Sequence, residues 1–468
     1  MAIDEFNVPA HVEKKLKELG YKVDTSMDSN IQGWYDWYSG NDEWYKDGYT
    51  DLSGRKRQRD RMSIRPAKRA CREWASLLVT DDTVVSVAKE KANQWLQDYL
   101  DKANFWPTGQ MVVEKAFAMG TAAWALWFDI GEDGTDVKVR RYDARMVRPL
   151  SWDEEGVSEC AFVTRVSLRG KRGDQLQVHS WDTDTASYHI ATYLFVDGRE
   201  QDAEEQGVIA DFDTRQACPT FGLLKPALEN TTVDLSPYGQ SVFADAVDSI
   251  KAVDLAWDSI YQEVELTAAK VFVDESLVDV RSKDGKTIPA PKVDGRLFRR
   301  LTGQDVTKNL IDIYSPNIRI DPLRIALDVA LAEFGDLCGF GQQYFQLDKG
   351  GGLKTATEVT SDNSALMRNV RKHENCLRGA IQRIVTALLN CARIHCGANI
   401  EEDFGAVAVQ FDDSVITDTQ TEKNMAMAEI AALGLPVLKQ RYLMDWYGMS
   451  AEEAEAAVPS AQVVDEGF

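Results

Sequence analysis

The chain has little of the positive charge that a nucleic-acid-binding protein normally carries. Its 468 residues contain 53 Lys and Arg against 75 Asp and Glu, which gives a formal net charge of -22. Because neutralisation of phosphates supplies most of the affinity for DNA, this charge balance disfavours tight, static binding of nucleic acid. Transient contact with a moving duplex remains compatible with it.

Paired cysteines and long apolar runs are also missing. The seven cysteines are dispersed without a Cys-x-x-Cys pair, which is typical of reduced thiols in a cytoplasmic setting. The N-terminal segment MAIDEFNVPAHVEKK has no apolar core, so we expect no signal peptide. The most apolar stretch, residues 116–130, is too short and too interrupted to span a membrane. With 44% apolar residues, the chain should fold into two or three globular domains.

The first 120 residues predict helices, among them segments over 9–20, 84–103 and 107–119. An aromatic segment, WYDWYSGNDEWY, leaves two interpretations open. It could form a cage for a cation or a sugar, or its rings could pack a helix against its neighbours. The β-rich segments between about 121 and 215 are separated by Gly, Asp and Glu and predict antiparallel sheet.

A basic run follows the aromatic segment and could form a nucleic-acid patch. It comprises Arg55, Lys56, Arg57, Arg59, Arg61, Arg65, Lys68, Arg69 and Arg72. Apolar residues recur behind it at helical spacing, at Ala67, Ala70, Cys71, Trp74 and Leu78. Part of the run is therefore expected on the solvated or subunit-facing side of a helix.

Two apolar-striped helices flank a short insertion between residues 236 and 339. The first has apolar residues at spacings of three and four, which predicts a helix of about 26 residues and about 39 Å. These are Phe243, Ala246, Ile250, Val253, Trp257, Ile260 and Val264. We expect Trp257 to be buried against a helix of its own or of an adjacent subunit. Asp254 and Asp258, with Asp245 and Asp248, are expected on the other sides of this helix.

Residues 270–320 lose helical periodicity and predict a small β-containing module. A second helix is expected to begin at Asp321 and Pro322, with Asp as its cap and Pro at its first position. Its apolar stripe comprises Leu323, Leu327, Ala330, Phe334 and Leu337. Such a pair can pack antiparallel and hold the insertion at its tip.

A glycine-rich loop precedes a third long helix over about 356–396. Beyond that helix, the segment VAVQFDDSVI predicts a strand. The tail then predicts three helices. One is capped by Asp418 and ends at Gly434, one runs from Pro436 to Tyr447, and the last begins with a capping box at Ser450 and Glu453.

Enzymatic interpretations find little support in the motifs. The segment KGGGLKT departs from a phosphate-binding loop because Leu353 separates Gly352 from Lys354 and a helix precedes it. The Cys and His residues of the third helix are too far apart along one straight helix to close a tetrahedral metal site. We therefore predict no catalytic residue, no metal ligand and no cofactor, with a metal-dependent enzyme as the least favoured alternative.

Four segments resemble portal proteins of tailed bacteriophages, of the siphophage type from Gram-positive hosts. PYGQSVFADAVDSIKAVDLAWDSIYQEVELTAAKVFV resembles the stem segment of that family. DPLRIALDVALAEFGDLCGFGQQYFQLD and KTATEVTSDNSALMRNVRKHE resemble the segments that follow the stem. WYDWYSGNDEWY and RMSIRPAKRACREWASLL resemble its N-terminal part. The resemblance covers most of the chain and is weakest in 121–215 and in the tail.

The resemblance implies an α+β portal fold. Its parts would be a wing (1–238 and 356–416), a first stem helix (239–267), a clip (268–320), a second stem helix (321–339), a tunnel loop (340–355) and a helical crown (417–468). The stem packing seam would comprise Phe243, Ile250, Val253, Trp257, Ile260, Val264, Leu323, Leu327 and Phe334. Gln342, Gln343, Lys349 and Lys354 would face DNA from a mobile loop that offers hydrogen-bond donors without a dense positive field.

The function implied is structural. Subunits of such a family form a ring, usually of twelve, at the capsid vertex, through which double-stranded DNA is packaged and ejected. The implied partners are further copies of the chain, the terminase motor, the head–tail adaptor, and the major capsid and scaffolding proteins, with no membrane. The implied location is the virion, and the host cytoplasm during assembly. Another virion protein, either a minor capsid protein or a head–tail adaptor, stays open as the alternative.

Overall fold

The structure is a computed structural model. It describes residues 8–50, 54–80, 82–131, 134–168, 170–274, 280–281, 287–288, 297–300, 311–347, 356–411, 427, 429–430, 434–447 and 449–458.

Helices dominate the first 120 residues. In chain order these residues form α1 (Ala10–Glu18), α2 (Asp28–Ser39), β1 (Lys46–Thr50), β2 (Lys56–Asp60), α3 (Pro66–Leu78), β3 (Val84–Ser86), α4 (Glu90–Lys102) and α5 (Phe105–Met119). Strands β1 and β2 pair antiparallel as a hairpin.

The predicted helix over 84–103 is wrong at its start. Its β-branched residues Val84 and Val85 join a strand, and the helix begins only at Glu90.

Two antiparallel sheets follow, as the sequence predicts. The strands are β4 (Ala122–Gly131), β5 (Gly134–Asp143), β6 (Val147–Asp153), β7 (Gly156–Leu168), β8 (Lys171–Asp182), β9 (Ser187–Val196), β10 (Arg199–Gln201), β11 (Asp211–Asp213) and β12 (Phe221–Leu224). One sheet has the order β12-β4-β5, and the other has the order β10-β9-β8-β7-β6 with β11 also paired to β9.

A helix pair carries a small β module between its members. The elements are α6 (Val247–Leu266), β13 (Lys270–Asp274), β14 (Val280–Arg281), β15 (Thr287–Ile288), β16 (Leu297–Arg300), β17 (Ile311–Tyr314) and α7 (Ile320–Leu337). Strand β13, just after α6, pairs antiparallel with β17, just before α7. The chain therefore returns beside the point where it left, and the two helices run antiparallel with the module at one end.

The structure corrects two expectations about this pair. Helix α6 has 20 residues, so it is about 30 Å long rather than about 39 Å. Phe243 precedes it, and Ala244–Ala246 form a 3-10 turn. Asp321 does not cap the second helix, because α7 begins one residue earlier at Ile320 and no side chain caps it. Asp321 lies in the first turn instead, where a carboxylate still interacts favourably with the helix dipole.

The C-terminal part begins with the longest helix. The elements are α8 (Ala356–His395), β18 (Ala408–Gln410), α9 (Pro436–Tyr447) and α10 (Ala451–Ala457). Strand β18 pairs antiparallel with β3 from the N-terminal part. The predicted capping box is confirmed, since Glu453 N donates to Ser450 Oγ and Ser450 N donates to the Glu453 carboxylate. The predicted cap at Asp418 lies outside the described residues.

One large core joins these parts. It contains Trp74 of α3, Phe117 of α5, Ile250 of α6, Phe334 of α7 and Leu388 of α8, all at most 1% exposed. Only some of the residues of α6 and α7 belong to this core. The helix pair is therefore rooted in the body of the chain and extends beyond it.

Candidate functional site: the helix pair

Near the body of the chain, the residues of the predicted seam are buried. Phe243, Ile250 and Val253 are fully buried, and Leu327 and Phe334 of α7 are nearly so. All five belong to the main core. In this half of the pair, the apolar stripe is therefore covered within one chain.

Further along the pair, the same stripe is open to solvent. Trp257 is 37% exposed, Val264 is exposed, and Ile260 and Leu323 are half-buried. Trp257 and Val264 lie on the same helical face as Ile250, because their spacings are seven residues each. Within its own chain Trp257 is only partly covered, because it lies outside the main core that buries Ile250 and Val253. Burial against an adjacent subunit stays a prediction.

A second set of apolar side chains lies on the outer sides of the two helices. Leu255 and Leu266 of α6, and Ile325 and Val329 of α7, are all more than half exposed. Ile325 and Val329 are each two residues from buried Leu327, which places them on the opposite side of α7. Exposed apolar residues that gather in a patch are typical of interaction surfaces.

Asp254 of α6 was expected away from the apolar stripe, and the structure buries it completely. Its carboxylate accepts hydrogen bonds from Tyr45 Oη (2.7 Å), Ser63 Oγ (2.7 Å) and the backbone N of Ile64 (3.0 Å). Burial raises the pKa of Asp254 above its ordinary value, although these hydrogen bonds act to lower it. This aspartate fastens the N-terminal segment to α6.

Asp258, one turn further on, binds the same segment through charge. It accepts two hydrogen bonds from the Arg59 guanidinium, of 2.8 and 2.7 Å, and a third from the backbone N of Met62 (3.1 Å). Hydrogen bonding to Arg59 holds the pKa of Asp258 below its ordinary value, against the effect of burial. Arg59 also pairs with Asp47 across the hairpin, at 2.8 Å.

The sequence carried a signal for these two aspartates that the prediction did not use. Asp254 follows the buried Ile250 by four residues, and Asp258 follows Asp254 by four. Residues at this spacing share a helix face, so the two carboxylates lie beside the apolar stripe rather than opposite it. An aspartate so close to an apolar stripe needs a partner, because an unpaired buried charge is costly.

An ion pair closes the end of the helix pair where the β module begins. The Glu263 carboxylate of α6 accepts hydrogen bonds from Arg319 Nη2 (2.9 Å), Arg319 Nε (3.1 Å) and the Arg319 backbone N (3.1 Å). Arg319 immediately precedes α7. Hydrogen bonding to Arg319 lowers the pKa of Glu263. This contact ties the two ends of the module together.

The loop after α7 is anchored at its start. The Phe340 ring lies 4.6 Å from the Trp74 ring, and Trp74 Nε1 donates a 3.0 Å hydrogen bond to the Cys338 carbonyl. Phe345 is buried, with its ring 5.5 Å from that of Phe334. The aromatic residues of the first half of the loop are thus packed on the core, and the mobility expected from the glycines stays a prediction.

The four predicted DNA-facing residues divide into two groups. Gln342 and Gln343 are exposed on the anchored half of the loop. Lys349 and Lys354 lie outside the described residues, as does the glycine run between them. Their role stays a prediction from the sequence.

The aromatic segment packs a helix, as one of its two interpretations proposed. Trp34, Trp37 and Tyr38 of α2 are buried. A lysine of the chain itself approaches two of the rings, since Lys115 Nζ lies 4.5 Å from the centroid of Tyr38 and 5.1 Å from that of Tyr35. Burial lowers the pKa of Lys115. Cation–π contact is thus made inside the chain.

The basic run divides between two elements. Lys56, Arg57 and Arg59 lie on strand β2, and Lys68, Arg69 and Arg72 lie on α3. The other three arginines of the run lie just outside these two elements. As predicted, Ala67, Ala70, Cys71, Trp74 and Leu78 form the buried face of α3, while Lys68 and Arg72 are exposed.

In the part of the chain that the structure describes, no three His, Cys, Asp or Glu side chains form a group suited to a metal ion. No helix among the described residues is long and apolar enough to cross a membrane.

Residues 24–444, which are 421 of the 468 residues, match the family model described as "Phage portal protein, SPP1 Gp6-like". The chain belongs to this family. The resemblance and the α+β portal fold expected from the sequence are confirmed. The chain is a phage portal protein, and the family is a structural one.

Solved structures similar to this portal protein come from gene transfer agent (GTA) particles. They are the neck of an empty GTA particle computed with C6 symmetry (11% identity, 85% of this chain and 90% of that chain covered, TM-score 0.40), the neck of a native GTA particle computed with C12 symmetry (12%, 85% and 90%, 0.41) and the virion of a native GTA particle (10%, 92% and 94%, 0.43). No curated protein matches the chain. The family assignment rests on the family model.

Proposed function

We propose that this portal protein is one subunit of a closed ring of roughly a dozen copies at the capsid vertex. Double-stranded DNA passes through the ring during packaging and ejection, and the ring docks the terminase motor and later the head–tail adaptor. Residues 239–267 and 321–339, which contain α6 and most of α7, form the stem. Residues 268–320 form the clip, 340–355 the tunnel loop, 417–468 the crown, and 1–238 with 356–416 the wing.

The half-covered apolar stripe of the helix pair is the observation that carries this proposal. Ile250 and Val253 are buried in their own chain, whereas Trp257 and Val264 continue the same face into solvent. Burial of apolar area is worth about 25 cal/mol per Å², so such a stripe favours association with another chain. Neighbouring stems in a ring would supply the missing cover.

The net negative charge of the subunit suits a channel that must release the DNA passing through it. A subunit with a net charge of -22 does not hold phosphates tightly as a whole. Gln342 and Gln343, both exposed at the loop, and Lys349 and Lys354, which follow them in the sequence, offer weak contacts that do not depend on base sequence. Such contacts can form and break as the duplex slides.

The location and remaining partners follow from this role. The subunit would assemble in the host cytoplasm with the major capsid and scaffolding proteins and would remain in the virion.

The state of assembly of the purified protein tests the proposal. Sedimentation equilibrium should give a mass near twelve subunits, and electron-microscopic class averages should show closed rings with a hole as wide as a duplex. A stable monomer at micromolar concentration over several salt concentrations would contradict the proposal. A small, stacked ring would favour a head–tail adaptor instead.

A further inference from the structure

The hairpin of β1 and β2 projects from the chain on a fixed base. Every residue of its two strands is exposed except Asp47 and Arg59. These two pair with each other, and Arg59 also binds the buried Asp258 of α6. A two-stranded hairpin is marginally stable by itself, so this base is what holds the arm in place.

Strand alternation decides which side chains of the arm point away from α6. Arg59 points towards α6. Side chains alternate along a strand, so Lys56 and Gln58 lie on the opposite, outer face of the hairpin. Lys46 lies opposite Asp60 in the register and joins them on this face. The outer face therefore presents the exposed side chains of Lys46 and Lys56 together with that of Asp60, which leaves one net positive charge on it.

The arm and α7 lie on opposite flanks of α6. Asp254 binds the segment that carries the arm, and Glu263 binds Arg319 at the start of α7. These two acids are nine residues apart, which is about 2.5 helical turns and places them on opposite sides of α6. One subunit thus has the arm on one flank and α7 on the other.

The outer face of α7 complements the arm in charge. Ile325 and Val329 are exposed apolar residues in the middle of this face. Glu333 and Asp336, one and two turns further on, are exposed and acidic. The lysines of the arm and the acidic edge of α7 are therefore opposite in charge, and the acidic edge lies beside an apolar strip.

We propose that the outer face of the hairpin binds the outer face of α7 in the adjacent copy of this chain. Lys46 and Lys56 pair with Glu333 and Asp336 of the next subunit, and the arm covers part of its apolar strip. The contact is heterologous, because the two surfaces are different and lie on opposite flanks, so it repeats from subunit to subunit until a ring closes. This inference rests on the ring of the proposed function and assigns one of its contacts.

Charge reversal on each side, singly and together, tests the contact. The variant Lys46→Glu with Lys56→Glu should lower the fraction of chain in rings about tenfold at fixed concentration, because like charges then face each other. Glu333→Lys with Asp336→Lys should do the same. The four substitutions together should restore the ring fraction to within about twofold of the unmodified chain, since opposite charges meet again. Sedimentation velocity measures all four proteins.

A matched control separates local contact from net charge. Lys91→Glu with Lys102→Glu makes the same change of charge at two exposed positions of α4 and should leave the ring fraction unchanged. Thermal unfolding of every variant shows whether the subunit still folds. A zero-length carbodiimide cross-link on rings of the unmodified chain, followed by peptide mapping, should join Lys46 or Lys56 to Glu333 or Asp336 between subunits.

The outcomes distinguish this inference from the ring itself. Normal rings from both charge-reversed variants, no rescue in the combined variant, or absence of that cross-link would each overturn the hairpin contact and leave the ring in place. Normal rings with reduced DNA content in particles would show that the arm contacts DNA instead. Failure of the unmodified chain to form rings would overturn the proposed function.

Discussion

Arg59 of the hairpin donates two parallel hydrogen bonds to Asp258 of helix α6, Nη1 to Oδ1 at 2.8 Å and Nη2 to Oδ2 at 2.7 Å. The two residues are 199 positions apart in the chain. The Asp258 side chain is 1% exposed, whereas that of Arg59 is 33% exposed. A planar, bidentate pair of this kind fixes orientation as well as distance. It joins the projecting hairpin to the proposed stem.

Removal of Arg59 should destabilise the subunit. Arg59→Ala leaves a buried carboxylate without its counter-ion, which should lower the free energy of unfolding by about 3 kcal/mol. Arg59→Lys should recover only part of this loss, because a lysine cannot form the bidentate pair. Chemical denaturation measures both. The double variant with Asp258→Ala should lose less than the sum of the two single variants; strictly additive losses would show that the pair is not coupled.

The two buried aspartates should respond to pH in opposite directions. The pKa of Asp258 is lowered in the folded chain, so its stabilisation is complete above the unfolded pKa of about 4 and is lost as the pH falls through the folded pKa. The pKa of Asp254 is raised, so its contribution is complete below about pH 4 and is lost as the pH rises through the folded pKa.

Melting temperatures between about pH 6 and pH 3 measure this difference. As the pH falls over this range, the amount by which the melting temperature of the unmodified chain exceeds that of Asp258→Asn should shrink. The melting temperature of the unmodified chain should rise relative to that of Asp254→Asn. The assignment of the two environments is wrong if both comparisons move in the same direction.

Trp257 should matter for assembly more than for folding of the subunit. It is 37% exposed, so Trp257→Ala removes an anchor that a neighbouring stem would cover, at about 2 kcal/mol for each contact between subunits. Sedimentation should show fewer rings, with a nearly unchanged melting temperature of the dissociated subunit. Trp152→Ala, at a 39% exposed tryptophan of strand β6, is the matched control and should leave the rings intact. Equal ring yields for the two variants would remove Trp257 from the interface.

The loop lysines should act on DNA rather than on assembly. Lys349→Glu with Lys354→Glu should leave rings intact and reduce the DNA content of particles, because the loop would repel phosphates. The change from Lys to Glu at Lys91 and Lys102 of α4 alters the net charge equally and should not reduce DNA content. Normal DNA content in particles with the loop variant would remove these lysines from the mechanism.

Local patterns were sufficient to predict the presence of several helices of the chain. The stripe of Ile250, Val253 and Trp257 and the capping box of Ser450 and Glu453 depend on residues three or four apart, and the predicted α6 and α10 are present. The ends of elements were less reliable. Val84–Ser86 forms a strand because it pairs with β18. That partner is more than 300 residues away, so no local sequence window contains it.

By itself, the sequence determined which faces are apolar, where the β module interrupts the helix pair, and the family to which the chain belongs. Only the tertiary structure decided which part of each face is covered. The stripe of α6 is buried at Ile250 and open at Trp257 because the main core of the chain covers the first residue and not the second. Likewise, Asp254 and Asp258 are buried because Tyr45 and Arg59, about 200 residues earlier in the chain, fold onto α6. Burial depends on what the rest of the chain brings nearby, and helical periodicity does not contain that information.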